Sequence, residues 1–252
     1  MVMENGLWVH KIPKCGGPLG VVTKAKQLKA SHVIIKSRDG LSSYRANRST
    51  IETTSITATM AGLDVWLWTW ARPYSPTKGL DYVTDQAKLL AQDAHMCRAK
   101  TVVCNMESPW SWSKLGGGML LGEMELRRRA YKYLCTLRDC LPKHCTIGIS
   151  SFRFPKWHKL PWTEMLSSTP VIGMPQIYFQ RKGYDEQAAR AHAEWSKFGV
   201  TGIMLSGPGY VWKAGRIDRG AFYGESKRHC QGIDWWKADG MDEASIKALT
   251  DL

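Results

Sequence analysis

The chain has 252 residues, 44% hydrophobic and 23% charged, the balance of an ordinary globular protein long enough to bury a core as one α/β barrel or two small domains. No apolar run reaches the 18 residues a membrane span needs, and the start, MVMENGLWVHK, lacks the apolar segment of a secretory signal, so the expectation is a chain made in the cytoplasm. Its formal charge is +13, from 35 Lys and Arg against 22 Asp and Glu, and a chain this basic is attracted to polyanions.

The positives are dispersed. The densest set, Arg127, Arg128, Arg129, Lys132 and Arg138, falls in one helix-length segment and reads as a solvated face. No RRM, zinc-finger or helix-turn-helix pattern accompanies it, so no specific nucleic acid is expected. The seven Cys are odd in number and lack CxxC spacing, which disfavours a disulfide scaffold and a zinc site and suits buried free thiols. The seven His are scattered, with no HExxH, so neither a metal nor another cofactor is expected.

Taken in chain order, short apolar runs alternate with amphipathic segments of helix length. GLWVHKI (6–12) predicts a strand, followed by a helix near 18–30. HVIIKSRDG (32–40) and a helix near 44–61 come next, then DVWLWTWARP (64–73) with 78–98, and TVVCNMESPW (101–110) with 123–141. TIGISSFRFP (146–155) precedes 162–168, VIGMPQIYF (171–179) precedes 184–198, TGIMLSGPGY (201–210) precedes 216–229, and GIDWWKADG (232–240) precedes 241–251. Eight strands alternating with helices over this length predict a single (β/α)8 TIM barrel, one domain across residues 1–252. A doubly wound open sheet is the alternative, but no GxGxxG follows the first strand.

Each predicted strand starts apolar and ends in polar, aromatic or turn residues, and a barrel enzyme builds its site at the carboxyl ends of its strands. The polar residues there include Asp39, Glu107, Gln176, Tyr178, Asp234 and Asp239, with Lys36 and Arg38 nearby. The aromatics include Trp68, Trp70, Trp110, Trp112, Phe152, Trp157, Tyr210, Trp235 and Trp236. Alternation places Asn105 and Glu107 on one face of the fourth strand and Met106 on the other, and gives Trp66, Trp68 and Trp70 a common face. Which face points inward is not readable from one strand.

Carboxylates, amide and hydroxyl donors and flat apolar rings suit a carbohydrate. Glu107 is the candidate general acid, with Asp39 or Asp234 as second carboxylate in the scheme most glycosidases use. The alternative within that chemistry is substrate-assisted hydrolysis, in which Asn105 orients a 2-acetamido group as internal nucleophile. Trp70, Gln176, Tyr178, Trp236, Tyr210 and Trp110 are the candidate sugar-binding residues. Outside that chemistry, Glu107 reads as a surface carboxylate or an ion-pair partner of Lys36 or Arg38.

The stretches KAKQLKASHVIIKSRDG, GLDVWLWTW, SSFRFPKWHKLPW, MPQIY and GIDWWKAD resemble a group of glycoside-hydrolase-like TIM barrels of bacteria and phages, near the lysozyme-like glycoside hydrolase family 25. The resemblance implies a (β/α)8 fold and a cell-wall glycan as substrate, and the leading expectation is a monomeric phage-type lysin, made without a signal peptide, that acts on the peptidoglycan of the bacterial cell wall. Family 25 barrels carry Asp-x-Glu at the end of strand four. NMESP aligns with it, so Glu107 takes the acid position and Asn105 stands where an Asp is usual. The Asn-x-Glu pair is similar to that of family 85 endo-N-acetylglucosaminidases, which use acetamido participation. Two other readings stand beside this one: a non-catalytic glycan-binding barrel, such as a phage structural or adsorption protein, and a barrel enzyme acting on a wall amide, for which no metal ligands are evident.

Overall fold

A computed structural model of the chain describes residues 4–43, 48–75, 78–112, 121–178, 184–209 and 219–252. Eight parallel strands form the sheet: β1 (Glu4–Val9), β2 (His32–Asp39), β3 (Asp64–Trp70), β4 (Thr101–Asn105), β5 (Thr146–Phe152), β6 (Ile172–Gln176), β7 (Gly202–Pro208) and β8 (Gly232–Trp236). Each pairs with the next, and β8 pairs back to β1, so the sheet closes into a (β/α)8 barrel. One helix follows each strand: α1 (Gly17–Gln27), α2 (Arg48–Met60), α3 (Asp81–Met96), α4 (Glu123–Cys140), α5 (Trp162–Ser167), α6 (Tyr184–Ser196), α7 (Arg219–His229) and α8 (Glu243–Thr250). Single 3-10 turns at 12–15, 108–110, 155–157 and 238–240 begin the loops after β1, β4, β5 and β8. Among the described residues no helix is long and apolar enough to cross a membrane.

The inward face is now readable. Trp8, Ile34, Trp66, Trp68, Val103, Met174 and Met204 pack together inside the barrel, while the alternate residues join a larger core between strands and helices. The indoles take the volume that branched aliphatics fill in most such barrels. Glycine makes room elsewhere: a Cβ on Gly148 would come within 2.9 Å of the Met174 sulfur.

The lower end of the barrel is closed by a polar plug. His32 Nε2 lies 2.8 Å from Asp234 Oδ1, both side chains are essentially inaccessible, and the imidazole stacks on Trp66 at 3.9 Å. Gly6 sits between them, where a Cβ would approach both partners within 2.2 Å.

On the outer face, Arg38 forms a buried two-bonded pair with Asp93 of α3, at 2.6 and 2.9 Å. The basic set of α4 is largely the solvated face expected, with Arg128 and Lys132 exposed and only Arg129 buried, and several of its members are ion-paired. Arg127 pairs with Glu123 and Glu164, Arg128 with Glu125, and buried Arg129 with Glu125 and the Pro73 carbonyl. All seven cysteines are free thiols. Burial pushes Cys104 and Cys230 up to about 12, so neither thiol ionises near neutral pH.

Removing one partner of a buried ion pair strands the other charge. Asp93→Ala is therefore expected to destabilise the chain by about 3–5 kcal/mol, read from the urea unfolding midpoint. A loss within experimental error of zero would mean that Arg38 is satisfied without Asp93.

Candidate active site

Asn105 ends β4 with its side chain inward, and Met106 turns outward into the fully buried outer core. The chain then leaves the sheet, and Glu107 emerges half-buried over the carboxyl-end mouth. One residue ties these groups together. Gln176, at the end of β6, donates through Nε2 to Glu107 Oε1 at 2.6 Å, Asn105 Oδ1 at 2.9 Å and Ser150 Oγ of β5 at 3.1 Å. Two amide hydrogens serve three acceptors, and the shortest bond goes to the carboxylate, as expected of a charge-assisted contact.

Asp39 reaches the same mouth by a route that alternation hides. A bulge in β2 shifts the register between Lys36 and Arg38. Without it, Lys36 and Arg38 would share a face and Asp39 would point away. With it, Arg38 turns out to Asp93 and Asp39 comes into register with Trp70, itself in register with Asn105. Asp39 Oδ1 lies 2.7 Å from Arg72 Nε and Oδ2 3.5 Å from Lys36 Nζ. Lys36 is buried, its ammonium 4.6 Å from the Trp68 ring and 5.6 Å from Trp70. Lys36 thus pairs with Asp39, and Arg38 with Asp93.

The opposite wall is aromatic. Trp8, Trp68 and Trp236 meet edge-to-face at 5.4–5.6 Å, and Tyr178 lies 6.3 Å from Trp236. The indole N–H of Trp70 is buried without a hydrogen-bond partner among the described residues. Beside this wall is a group that the sequence reading gave no role. His10 follows β1 on the face of Trp8 and lies 5.9 Å from Trp68 and 6.1 Å from Trp236. Its Nδ1 is 3.8 Å from Asp239, whose carboxylate is 3% exposed and 3.6 Å from Lys237 Nζ. Lys24 pins this loop by donating to the carbonyls of Ala238 and Met241 at 3.0 and 2.8 Å. Burial disfavours the Asp239 charge, but the nearby His10 imidazole and the charge of Lys237 outweigh it and hold the carboxyl below its usual range. The shared face of Trp8 and His10 was the available signal; the pairing with Asp239 has no local signature.

Three sequence candidates fall elsewhere. Asp234 points inward, as its parity allows, but at the closed lower end, bonded to His32 and far from Glu107 along the barrel axis. Trp110 is fully buried, donating to the Ala71 carbonyl at 2.8 Å and packing on Tyr133, so no sugar can reach it. Trp235 likewise packs outward on Phe222. Tyr210 lies outside the described residues. Glu107, Asn105, Gln176, Asp39, Trp70, Tyr178 and Trp236 surround one mouth.

No protein-family model matches the sequence, and no curated protein matches it. Solved structures share the fold. A fungal β-1,4-galactanase superposes with a TM-score of 0.68 at 11% identity, covering 100% of this chain and 100% of that one. A GH18 chitinase from Pseudoalteromonas aurantia gives 0.63 at 12% identity, over 98% of this chain and 99% of that one. A D-allulose 3-epimerase from Methylomonas sp. gives 0.61 at 9% identity, over 98% and 94%. The fold is thus a TIM barrel of the kind found in glycoside hydrolases, and the epimerase shows that the barrel alone does not set the chemistry.

The depressed Asp239 carboxyl makes a signed prediction. A lowered native pKa contributes stability that is complete above the unfolded carboxyl value of about 3.9 and lost as pH falls through the native value. The stability gap between wild type and Asp239→Asn is expected to close as pH falls below about 4. Urea midpoints on either side of that value check it; a gap that persists undiminished in acid would contradict the lowered carboxyl pKa.

Proposed function

We propose that the chain is a glycoside hydrolase of cell-wall glycan, a peptidoglycan lysin of the phage type, with Glu107 as general acid. The single observation that carries this reading is the Gln176 amide binding Asn105 and Glu107 together at a mouth walled by tryptophan. A formal charge of +13 favours concentration on anionic envelope polymers without a separate wall-binding module.

Of the two mechanisms open to these residues, the geometry favours participation by the substrate's own 2-acetamido group. Asp39 stands two strand spacings, about 10 Å, from Asn105 along the sheet, and both its oxygens are engaged by cations. Asn105 lies beside Glu107 on the same hydrogen-bond donor, and its carbonyl oxygen retains a second lone pair. In the proposed step Glu107 protonates the glycosidic oxygen as the C1–O bond breaks. The acetamido oxygen bonds to C1, giving a cyclic oxazolinium ion whose N–H is accepted by Asn105. Water then attacks C1, Glu107 takes its proton, and the acetamido group is released with overall retention. Tyr178 and Trp236 offer an apolar face to the sugar ring.

The test uses purified peptidoglycan, with new reducing ends and muropeptide masses as readouts. Glu107→Gln is expected to lower turnover by about 10²–10⁴-fold with unchanged unfolding midpoint. Sugars lacking the 2-acetamido group are expected to resist cleavage, and Asn105→Ala to lower turnover more than substrate affinity. Tight binding by the wild type without new reducing ends would instead establish the non-catalytic glycan-binding barrel. Cleavage of acetamido-free glycans would return the second-carboxylate role to Asp39.

A further inference from the structure

Among the described residues Trp157 is the one tryptophan that is mostly exposed, at 56%. It stands on the turn after β5, and its underside is built. The ring meets buried Phe154 edge-on at 4.7 Å, and the Arg190 guanidinium lies 4.5 Å from Trp157 and 4.2 Å from Phe154. Arg190 is held by Glu194 at 2.8 Å, and the other Glu194 oxygen accepts the Lys156 backbone N–H at 3.1 Å. An exposed indole fixed in this way is a ready-made plate.

The plate connects to the mouth. His158, the next residue, stacks face-to-face on Phe152 at 3.8 Å with a 12° angle between rings. Phe152 is the strand partner of Gln176, which holds Glu107. Burial, reinforced by the Arg153 charge, lowers the His158 pKa and keeps that imidazole neutral at pH 7. Flat rings therefore run outward from the Glu107 cluster over Phe152 and His158 to Trp157, flanked by the donors of Arg153, Lys156 and Arg190. Ring faces with donors at their edges suit sugar C–H faces and hydroxyls.

We infer that this track binds the outer part of the same glycan whose scissile bond lies at Glu107, so that the chain acts on polymer interiors rather than on short oligosaccharides. The inference rests on the glycosidase reading and extends it to substrate length. The test compares turnover on intact peptidoglycan strands with turnover on a tetrasaccharide released from them. Trp157→Ala is expected to reduce the long-to-short ratio of kcat/KM by about tenfold, the scale of one aromatic stack, and Trp157→Phe to recover part of it. In the Glu107→Gln background, Trp157→Ala is expected to reduce retention on insoluble sacculi. An unchanged ratio with the wild type active would overturn the track and leave the glycosidase reading standing. A wild type that cleaves neither substrate would overturn both.

Discussion

A closed eight-stranded barrel must fill its own interior, and this chain does so unevenly. Trp8, Trp66 and Trp68 crowd the side formed by β1 and β3, while Gly148 and Gly232 leave space on β5 and β8 for the thioethers of Met174 and Met204. Large residues set against glycines let the interior close at high packing density. Even so, the Trp8 indole N–H and the Ser206 hydroxyl are buried without a hydrogen-bond partner among the described residues. Charged side chains are confined to the two ends, and each end treats them differently.

At the lower end His32 and Asp234 are sealed together, and Gly6 is the residue that lets them meet. A buried pair of this kind is costly to assemble and costly to break, so it specifies how the barrel closes more than it adds to stability. At the upper end the indoles form a floor, above which Asp39, Glu107, Gln176 and Lys237 keep partial exposure while Lys36, Asn105 and Ser150 are buried. Asn105, Glu107, Ser150 and Gln176 gather over β4–β6, while Lys36, Asp39, Lys237 and Asp239 are neutralised in pairs over β2 and β8. The same carboxylate chemistry is thus a plug at one end and a candidate catalytic set at the other.

Much of this was legible from residue patterns. Each of the eight predicted strands overlaps an observed one, and alternation along β4 placed Asn105 and Glu107 together because side-chain parity needs only local information. Three things required the closed sheet. The height of an inward residue along the barrel axis depends on stagger between strands, so parity could not place Asp234 at the lower end. Trp110 follows Ser108 and Pro109 into a 3-10 turn that folds it under the β3 end, a direction no period describes. Asp39 faces the mouth only because of the bulge after Lys36, a one-residue slip that reverses every assignment beyond it.

The bulge also bears on why Asn stands at 105. Trp70 is in register with Asp39 on one side and Asn105 on the other, so both project over the same part of the floor. An Asp at 105 would place a carboxylate next to Glu107 and opposite Asp39, with only Gln176 between the first two, and like charges at that spacing oppose one another's ionisation. The two cations within reach are already committed to Asp39. A neutral amide keeps the hydrogen-bonding positions of a carboxylate without adding a third negative charge. It also cannot serve as a proton-transfer base near neutral pH, so its contribution must come through orientation. The arrangement of cations around Asp39 and the identity of residue 105 are therefore one electrostatic solution, distributed over β2, β3 and β4.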